Sequence, residues 1–214
     1  MNIDYTIIDE ISNKYNELYF IIIGAMDGIQ HDNLVPFLIK NKLNGLFIEP
    51  IPYMYEKLKD NYKNYEGIVS FENCAISEKE GKVKMYKVPD SKIGSVYPEW
   101  TNGCSTLYPE KSPIRDFELE EIIVESYRLE NILLKNKIEK IDIIQIDAEG
   151  ADYEIFNTID FEKYKPKFIA IEIMNLSDLE VENIKQKLEK LNYKINIIVD
   201  LLAISEECFI EIKK

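Results

Sequence analysis

The chain is poor in positive charge, and that shortage is the first constraint on its function. Among 214 residues, Lys+Arg number 26 against 39 Asp+Glu, a formal net charge of −13. Proteins that track phosphates present a basic footprint that releases counterions, so no nucleic-acid partner is expected. Only two of the basic residues, Arg115 and Arg128, are arginines, which leaves few bidentate forks for phosphate. His31 is the single histidine, so neither a histidine metal cluster nor a Ser-His-Asp triad built elsewhere is available. Cys74, Cys104 and Cys208 are odd in number and far apart, which favours reduced thiols over a disulfide framework or a zinc site. The longest apolar stretch, residues 18–26, falls well short of the roughly 20 residues that span a bilayer. Asp4, Asp9 and Glu10 stand where a signal peptide needs basic residues. The expectation is a soluble, cytoplasmic protein with no membrane span.

What is present is globular: 46% hydrophobic and 30% charged residues, in a length that one domain over 1–214 accommodates. Ile8, Ile11, Tyr15 and Leu18 share a face at helical spacing, predicting a first helix over about 5–18. Residues 19–23 are a continuous apolar, β-branched run, as in a central parallel strand covered on both faces. A helix over 32–41, a strand over 45–48, a helix over 52–65, a strand over 68–76 and an exposed strand over 82–88 follow. Residues 89–116 hold Pro89, Gly94, Pro98, Gly103, Pro109 and Pro113, a density of breakers that excludes long regular elements. Such a segment inside a compact domain reads as a lid or binding loop. Order resumes with strands near 122–125, 141–146 and 168–173, and with a helix from Ala151. Ser177 and Glu180 form a capping box ahead of a helix. Residues 193–199 and 208–212 read as two strands joined without a helix, hence an antiparallel pair. The alternation predicts an α/β, doubly wound, mostly parallel sheet with an antiparallel last strand.

Four constellations could carry chemistry. Ile23-Gly24-Ala25-Met26-Asp27-Gly28 lies between a buried strand and a helix, where glycines allow a tight turn and close approach to a ligand. It lacks the G-x-G-x-x-G spacing of pyrophosphate binders, and Asp27 is ill placed for a phosphate. Glu49 ends the second strand, 21 residues after Gly28, at the spacing where an acid accepts hydrogen bonds from a ribose diol. Ile146-Asp147-Ala148-Glu149-Gly150 sets two carboxylates at the end of a buried strand, either as ligand-facing groups or as caps of the next helix. Glu172, with Asn175 nearby, ends a further strand; it is either a solvated charge or part of an oxygen-rich Mg²⁺ site with Asp147. His31, Asp32, Trp100 and Ser105 are candidates for the acceptor side. His31 reads equally as a surface residue, and Trp100 equally as local packing.

In this order these residues resemble the FkbM-type family of S-adenosylmethionine-dependent methyltransferases. The resemblance runs from residue 19 onward through the glycine turn, Asp32, Phe47-Ile48-Glu49-Pro50, Cys74-Ala75-Ile76-Ser77, Asp147-Ala148-Glu149-Gly150, and Lys165-Pro166 ahead of Glu172. One departure is Ile22, where many members carry an acid or amide. The resemblance implies a class I, Rossmann-like fold and S-adenosyl-L-methionine as cofactor. It further implies O-methylation of a hydroxyl, often on a sugar in glycan or secondary-metabolite assembly. By the same pattern Gly24, Ala25, Asp27 and Gly28 line the cofactor's amino-acid end. Glu49, followed by Pro50, meets its ribose; Asn73, Cys74 and Ala75 lie near the adenine; and Ser105 resembles a serine of the family's variable insert. With one histidine and no cysteine pair, the strand-end carboxylates remain as proton acceptors. Asp147, beside cofactor and acceptor alike, is expected to orient the hydroxyl, and Glu149 to take its proton. The rivals are a non-catalytic cofactor-binding partner in glycan assembly and a nicotinamide oxidoreductase, the latter opposed by the missing dinucleotide spacing.

Overall fold

The structure, a computed structural model, describes residues 3–30 and 32–213, so His31 lies outside the described residues. The chain opens with α1 (Ile7–Lys14), β1 (Tyr19–Ile23), α2 (Val35–Lys40), β2 (Asn44–Ile48), α3 (Pro52–Asn61) and β3 (Val69–Glu72). It then leaves the main sheet for β4 (Ala75–Ile76), β5 (Gly81–Lys87), β6 (Ser105–Thr106) and β7 (Glu120–Tyr127). It returns through α4 (Leu129–Lys135), β8 (Ile143–Ile146), α5 (Asp152–Thr158), β9 (Phe168–Ile171) and α6 (Asp178–Lys190). A hairpin of β10 (Tyr193–Ile197) and β11 (Leu201–Ser205) and a last helix, α7 (Glu206–Ile212), complete it.

Seven strands form the main sheet in the order β10-β11-β9-β8-β1-β2-β3. All neighbours pair parallel except β11, which runs antiparallel to both β9 and β10. The alternation of side chains along each strand feeds two cores. Ile21, Ile23, Ile144 and Ile146 pack under α4, α5 and α6, while Phe20, Ile22 and Ile143 pack under α1 and α2. Burial on both faces explains why these runs are apolar throughout, each fully buried Ile or Phe contributing about 1.5–3 kcal/mol. The chain builds outward from β1 to β3 and then resumes on the other side of β1 with β8. The gap between β1 and β8 is therefore the switch point of the sheet, where open α/β folds bind ligands.

Two expectations need correction. Residues 68–76 are not one strand. β3 and β4 belong to different sheets, because the Asn73 amide donates to the carbonyls of Glu49 (2.8 Å) and Pro50 (3.1 Å) and breaks the run. Residues 208–212 are not a strand but part of α7, whose start is fixed by Ser205 Oγ accepting from the Cys208 amide. The antiparallel partner of β10 is β11, whose Leu201 to Ile204 are buried. The capping box at α6 is present as read: Ser177 Oγ accepts from the Glu180 amide, and Glu180 accepts from the Ser177 amide.

The second sheet, ordered β4-β7-β5-β6, carries the breaker-rich segment. Residues 89–116 contain two short 3₁₀ turns and β6 rather than long elements. Val88, Cys104 and Ile114 give the segment a small core, beside which Tyr97 and Phe117 stack at 4.6 Å. Among the described residues no helix is long and apolar enough to cross a membrane.

Candidate active site

A cavity of about 460 Å³ opens at the carboxyl ends of β1, β2 and β8, within the range of small-ligand sites (about 300–1,000 Å³). Its first wall is the turn after β1. The amides of Gly24 and Ala25 both donate to the Ile48 carbonyl, fastening this turn to β2. Gly24 sits at φ +84°, and a Cβ there would lie 1.6 Å from the Asp147 carbonyl oxygen. Only glycine lets the turns after β1 and β8 meet.

Glu49 stands at the end of β2, 3% exposed. One carboxylate oxygen accepts from the Met26 amide (2.8 Å) and the other from the Ile51 amide (2.7 Å). Burial pushes its pKa up to about 8, against the pull of those two amides. A carboxylate has about four acceptor positions, so the side chain is oriented by the backbone yet keeps capacity for further donors. Cys74, Ala75, Ile76 and Met85 form the apolar wall beyond it.

The turn after β8 carries the acids. Glu149 (φ +50°) and Gly150 (φ +103°) are both left-handed. Asp152, fully buried, accepts from the amides of Ala148 (2.7 Å) and Gly150 (2.9 Å) and so holds the turn. The N-cap of α5 is Ala151, without a side-chain bond. Tying down this helix start thus falls to Asp152, leaving Asp147 and Glu149 to line the cavity. One oxygen from each of Asp147, Glu149 and Glu172 lies within 4.8 Å of the others. The Asn175 amide donates to Glu149 (3.0 Å) and Glu172 (2.9 Å). Burial, then the neighbouring carboxylates, raises the Asp147 pKa well above the carboxylate range. Burial, opposed by the Cys104 thiol, raises Glu149, and burial with Glu149 beside it pushes Glu172 to about 8.

The breaker-rich segment closes one side. Trp100, Gly103, Cys104 and Ser105 line the cavity, and Gly103 packs so closely on Met26 that a Cβ would meet its Cε at 2.2 Å. Thr106 Oγ1 donates to the Glu149 carbonyl (2.7 Å), joining this segment to the acidic turn.

The cavity therefore gathers Gly24, Glu49, Pro50, Cys74, Ala75, Trp100, Ser105, Asp147, Glu149 and Glu172 from separate stretches of the sequence. Ala25, Asp27, Gly28 and Asn73 do not line it. Asp27 turns inward, accepting from the amides of Ile29 (3.0 Å) and Gln30 (2.9 Å). Gly28 (φ +72°) makes room for Leu58 and Tyr62, which a Cβ would meet at 2.4 and 2.7 Å. Asn73 shapes the Glu49-Pro50 backbone instead. Asp32 starts α2, accepting from the amides of Leu34 (2.7 Å) and Val35 (3.0 Å), and borders a smaller neighbouring pocket. Sequence alone does not mark out Asp152 and Met85. For Asp152 the available signal was an acid two residues beyond the glycine of an Asp-x-Glu-Gly turn.

The methyltransferase FkbM domain family matches residues 23–195. This chain belongs to that family. The structure of methyltransferase FkbM from Methylobacillus flagellatus KT superposes with a TM-score of 0.53 at 14% identity, covering 94% of this chain and 50% of that one. The METTL16 methyltransferase domain gives a TM-score of 0.51 at 10% identity, over 94% of this chain and 65% of that one. At such identities the likeness establishes the class I methyltransferase fold alone. The chain spans about half the length of the FkbM structure it matches. No curated protein matches it in sequence.

The FkbM family implies S-adenosylmethionine, and the residues present fit it. The FkbM domain offers a bare glycine backbone at the switch point and a fixed, unsaturated carboxylate at the end of β2. The apolar wall of Cys74, Ala75, Ile76 and Met85 completes the set.

Proposed function

We propose that this protein transfers a methyl group from S-adenosylmethionine to a hydroxyl oxygen of a sugar acceptor. Residues 1–214 act as one domain, with 89–116 as a cover over the site. The observation that supports this reading is the meeting of Glu49, Gly24 and the Asp147/Glu149/Glu172 cluster around one cavity.

Glu49 holds the ribose diol with the acceptor positions its backbone partners leave free, and Cys74 and Ala75 flank the adenine. Pro50, kept in place by Asn73, sets the exit of β2 around that ring. The bound cofactor supplies an electrophilic methyl group, so the protein's own work is alignment, exclusion of water and removal of a proton. A sugar hydroxyl is a weak nucleophile at neutral pH, and its proton has to move as the new carbon–oxygen bond forms. Asp147 accepts a hydrogen bond that orients the hydroxyl, and Glu149 takes the proton. The raised pKa of Glu149 suits that role, because a base titrating nearer the working pH accepts a proton more readily. Asn175 holds the Glu149 carboxylate in place. Trp100, 42% exposed at the rim, and Ser105 contact the acceptor.

A second reading rests on the spacing of Asp147, Glu149 and Glu172, whose oxygens approach one another closely enough for a hard cation such as Mg²⁺. Bound there, Mg²⁺ would lower the pKa of an acceptor hydroxyl.

The test is turnover on a panel of sugars, with S-adenosylhomocysteine affinity measured in parallel. Asp147→Asn and Glu149→Gln are expected to cut turnover by about 10²-fold or more while affinity stays nearly intact. Wild-type turnover in both variants would overturn the catalytic assignment. Chelator that abolishes activity, with recovery on adding Mg²⁺, would favour the metal reading.

A further inference from the structure

The peptide unit that joins Glu149 to Gly150 is held at both ends. Its N–H, from Gly150, donates to Asp152 at 2.9 Å, and its carbonyl, from Glu149, accepts from Thr106 Oγ1 at 2.7 Å. Among the described residues no backbone amide donates to that carbonyl, so the Thr106 hydroxyl is its partner. The residues on either side of this peptide, Glu149 at φ +50° and Gly150 at φ +103°, are both left-handed. A residue with a side chain keeps that conformation only where its surroundings over-determine it. Asp152 does so from within the turn. Thr106 does so from a different sheet.

Thr106 is itself fixed. It is fully buried in β6, where its backbone pairs with Tyr86 of β5. Its Oγ1 accepts from the Tyr108 amide at 2.9 Å, which directs the single hydroxyl proton to the Glu149 carbonyl. The Glu149 carboxylate is held separately, by the Asn175 amide at 3.0 Å. Thr106 therefore sets the backbone from which the side chain projects, and Asn175 sets where it ends. Without the Thr106 bond the peptide can rotate about its flanking single bonds, and the carboxylate swings with the Cα–Cβ bond. A misplacement of about 1 Å from a reactive geometry can cost about 10²-fold in rate.

We propose that Thr106 is a positioning residue for methyl transfer: through the Glu149 carbonyl it sets the direction in which the Glu149 carboxylate meets the acceptor hydroxyl. The assignment rests on the methyltransferase reading, because it requires Glu149 to be the base. Thr106 belongs to the proposed cover over 89–116, so the base is aimed while that segment is seated on the site.

The test pairs Thr106→Val, which removes the donor at nearly constant shape, with Thr106→Ser, which keeps it. Thr106→Ala takes the place of Thr106→Val if that variant does not fold. Methyl transfer is measured on the panel sugar that the wild type turns over fastest. Thr106→Val is expected to lower kcat by about tenfold or more. KM and S-adenosylhomocysteine affinity should move by less than about twofold, and Thr106→Ser should keep kcat within about threefold of wild type. In ligand-free protein the NMR resonances of the Gly150 amide and the Glu149 carboxyl should shift in Thr106→Val and hold in Thr106→Ser. Because Thr106 acts through Glu149, Thr106→Val should cost little more once Glu149→Gln is in place. Unchanged kcat, unshifted resonances, or a loss that adds in full to that of Glu149→Gln would overturn the assignment and leave the methyltransferase reading standing. If S-adenosylhomocysteine fails to bind or no sugar is methylated, the proposed function falls and this assignment with it.

Discussion

The Cα of Gly24 faces the carbonyl oxygen of Asp147 so closely that a methyl group between them would sit 1.6 Å from that oxygen. The cofactor-side turn and the acid-bearing turn are thus parts of one backbone contact across the switch point. Gly24→Ala would force a non-glycine residue to φ +84° and drive the two turns apart. The left-handed strain alone costs on the order of 1–3 kcal/mol. A lowered melting temperature and loss of S-adenosylhomocysteine binding are expected. Wild-type melting with wild-type affinity would mean that the two turns can separate freely.

Asp152 ties down the other side of that contact. Asparagine there would keep one acceptor and aim an NH₂ group at the amide of Ala148 or Gly150, leaving a buried donor unpaired. The expected loss is about 1–3 kcal/mol of stability. Because Asp152 acts through the turn, Asp152→Asn should lower kcat more than it weakens S-adenosylhomocysteine binding. An equal loss in both would instead indicate general collapse of the site.

Most of the scaffold was legible because β1, β2, β8 and β9 are buried on both faces and must be apolar throughout. Glu49 and the Asp147/Glu149/Glu172 group were legible for the complementary reason: a charge ending such a run has to meet solvent or a ligand. Two elements were misread where a side chain overrode the local pattern. The break at Asn73 depends on carbonyls at Glu49 and Pro50, 24 and 23 residues away. The start of α7 depends on the cap at Ser205, while the largely apolar run over 208–212, with two isoleucines and a phenylalanine, imitates a strand. The family pattern places Asp27 and Gly28 at the ligand, yet Asp27 satisfies its own turn and Gly28 makes space for Leu58 and Tyr62. Local sequence cannot separate a glycine needed for a ligand from one needed for a neighbouring ring.

Residues 89–116 carry their own small core but touch the glycine turn through Gly103 and Met26, and α3 through Tyr53 Oη, which donates to the Asn102 carbonyl at 3.2 Å. As the proposed cover, this segment is expected to open as a unit and to close when cofactor and acceptor fill the cavity beneath it. Limited proteolysis should cut within 89–116 in the free protein and slow when S-adenosylhomocysteine and acceptor are added together. Equal cutting rates would make the segment a fixed wall.

Glu49 makes the protein's pH dependence a reporter of the proposed ribose contact. Its pKa rises from an ordinary 4.5 to about 8 in the folded protein, chiefly through burial. The folded state therefore holds a proton that the unfolded chain gives up. This contribution to stability is complete below the unfolded value and is lost as pH rises from 4.5 through about 8, at no more than about 1.4 kcal/mol per pH unit. Glu172, raised in the same direction, adds to the slope. The ligand-free protein should consequently melt higher at about pH 6 than at about pH 8, and Glu49→Gln should flatten the dependence. Ribose hydroxyls donating to Glu49 would favour its charged form and pull its pKa down. S-adenosylhomocysteine binding should then release protons between about pH 5 and 8, with affinity rising by no more than about tenfold per pH unit. Calorimetry in two buffers of different ionisation enthalpy measures that release directly. A wild-type protein that releases no proton on binding, matching Glu49→Gln, would remove Glu49 from the ribose site.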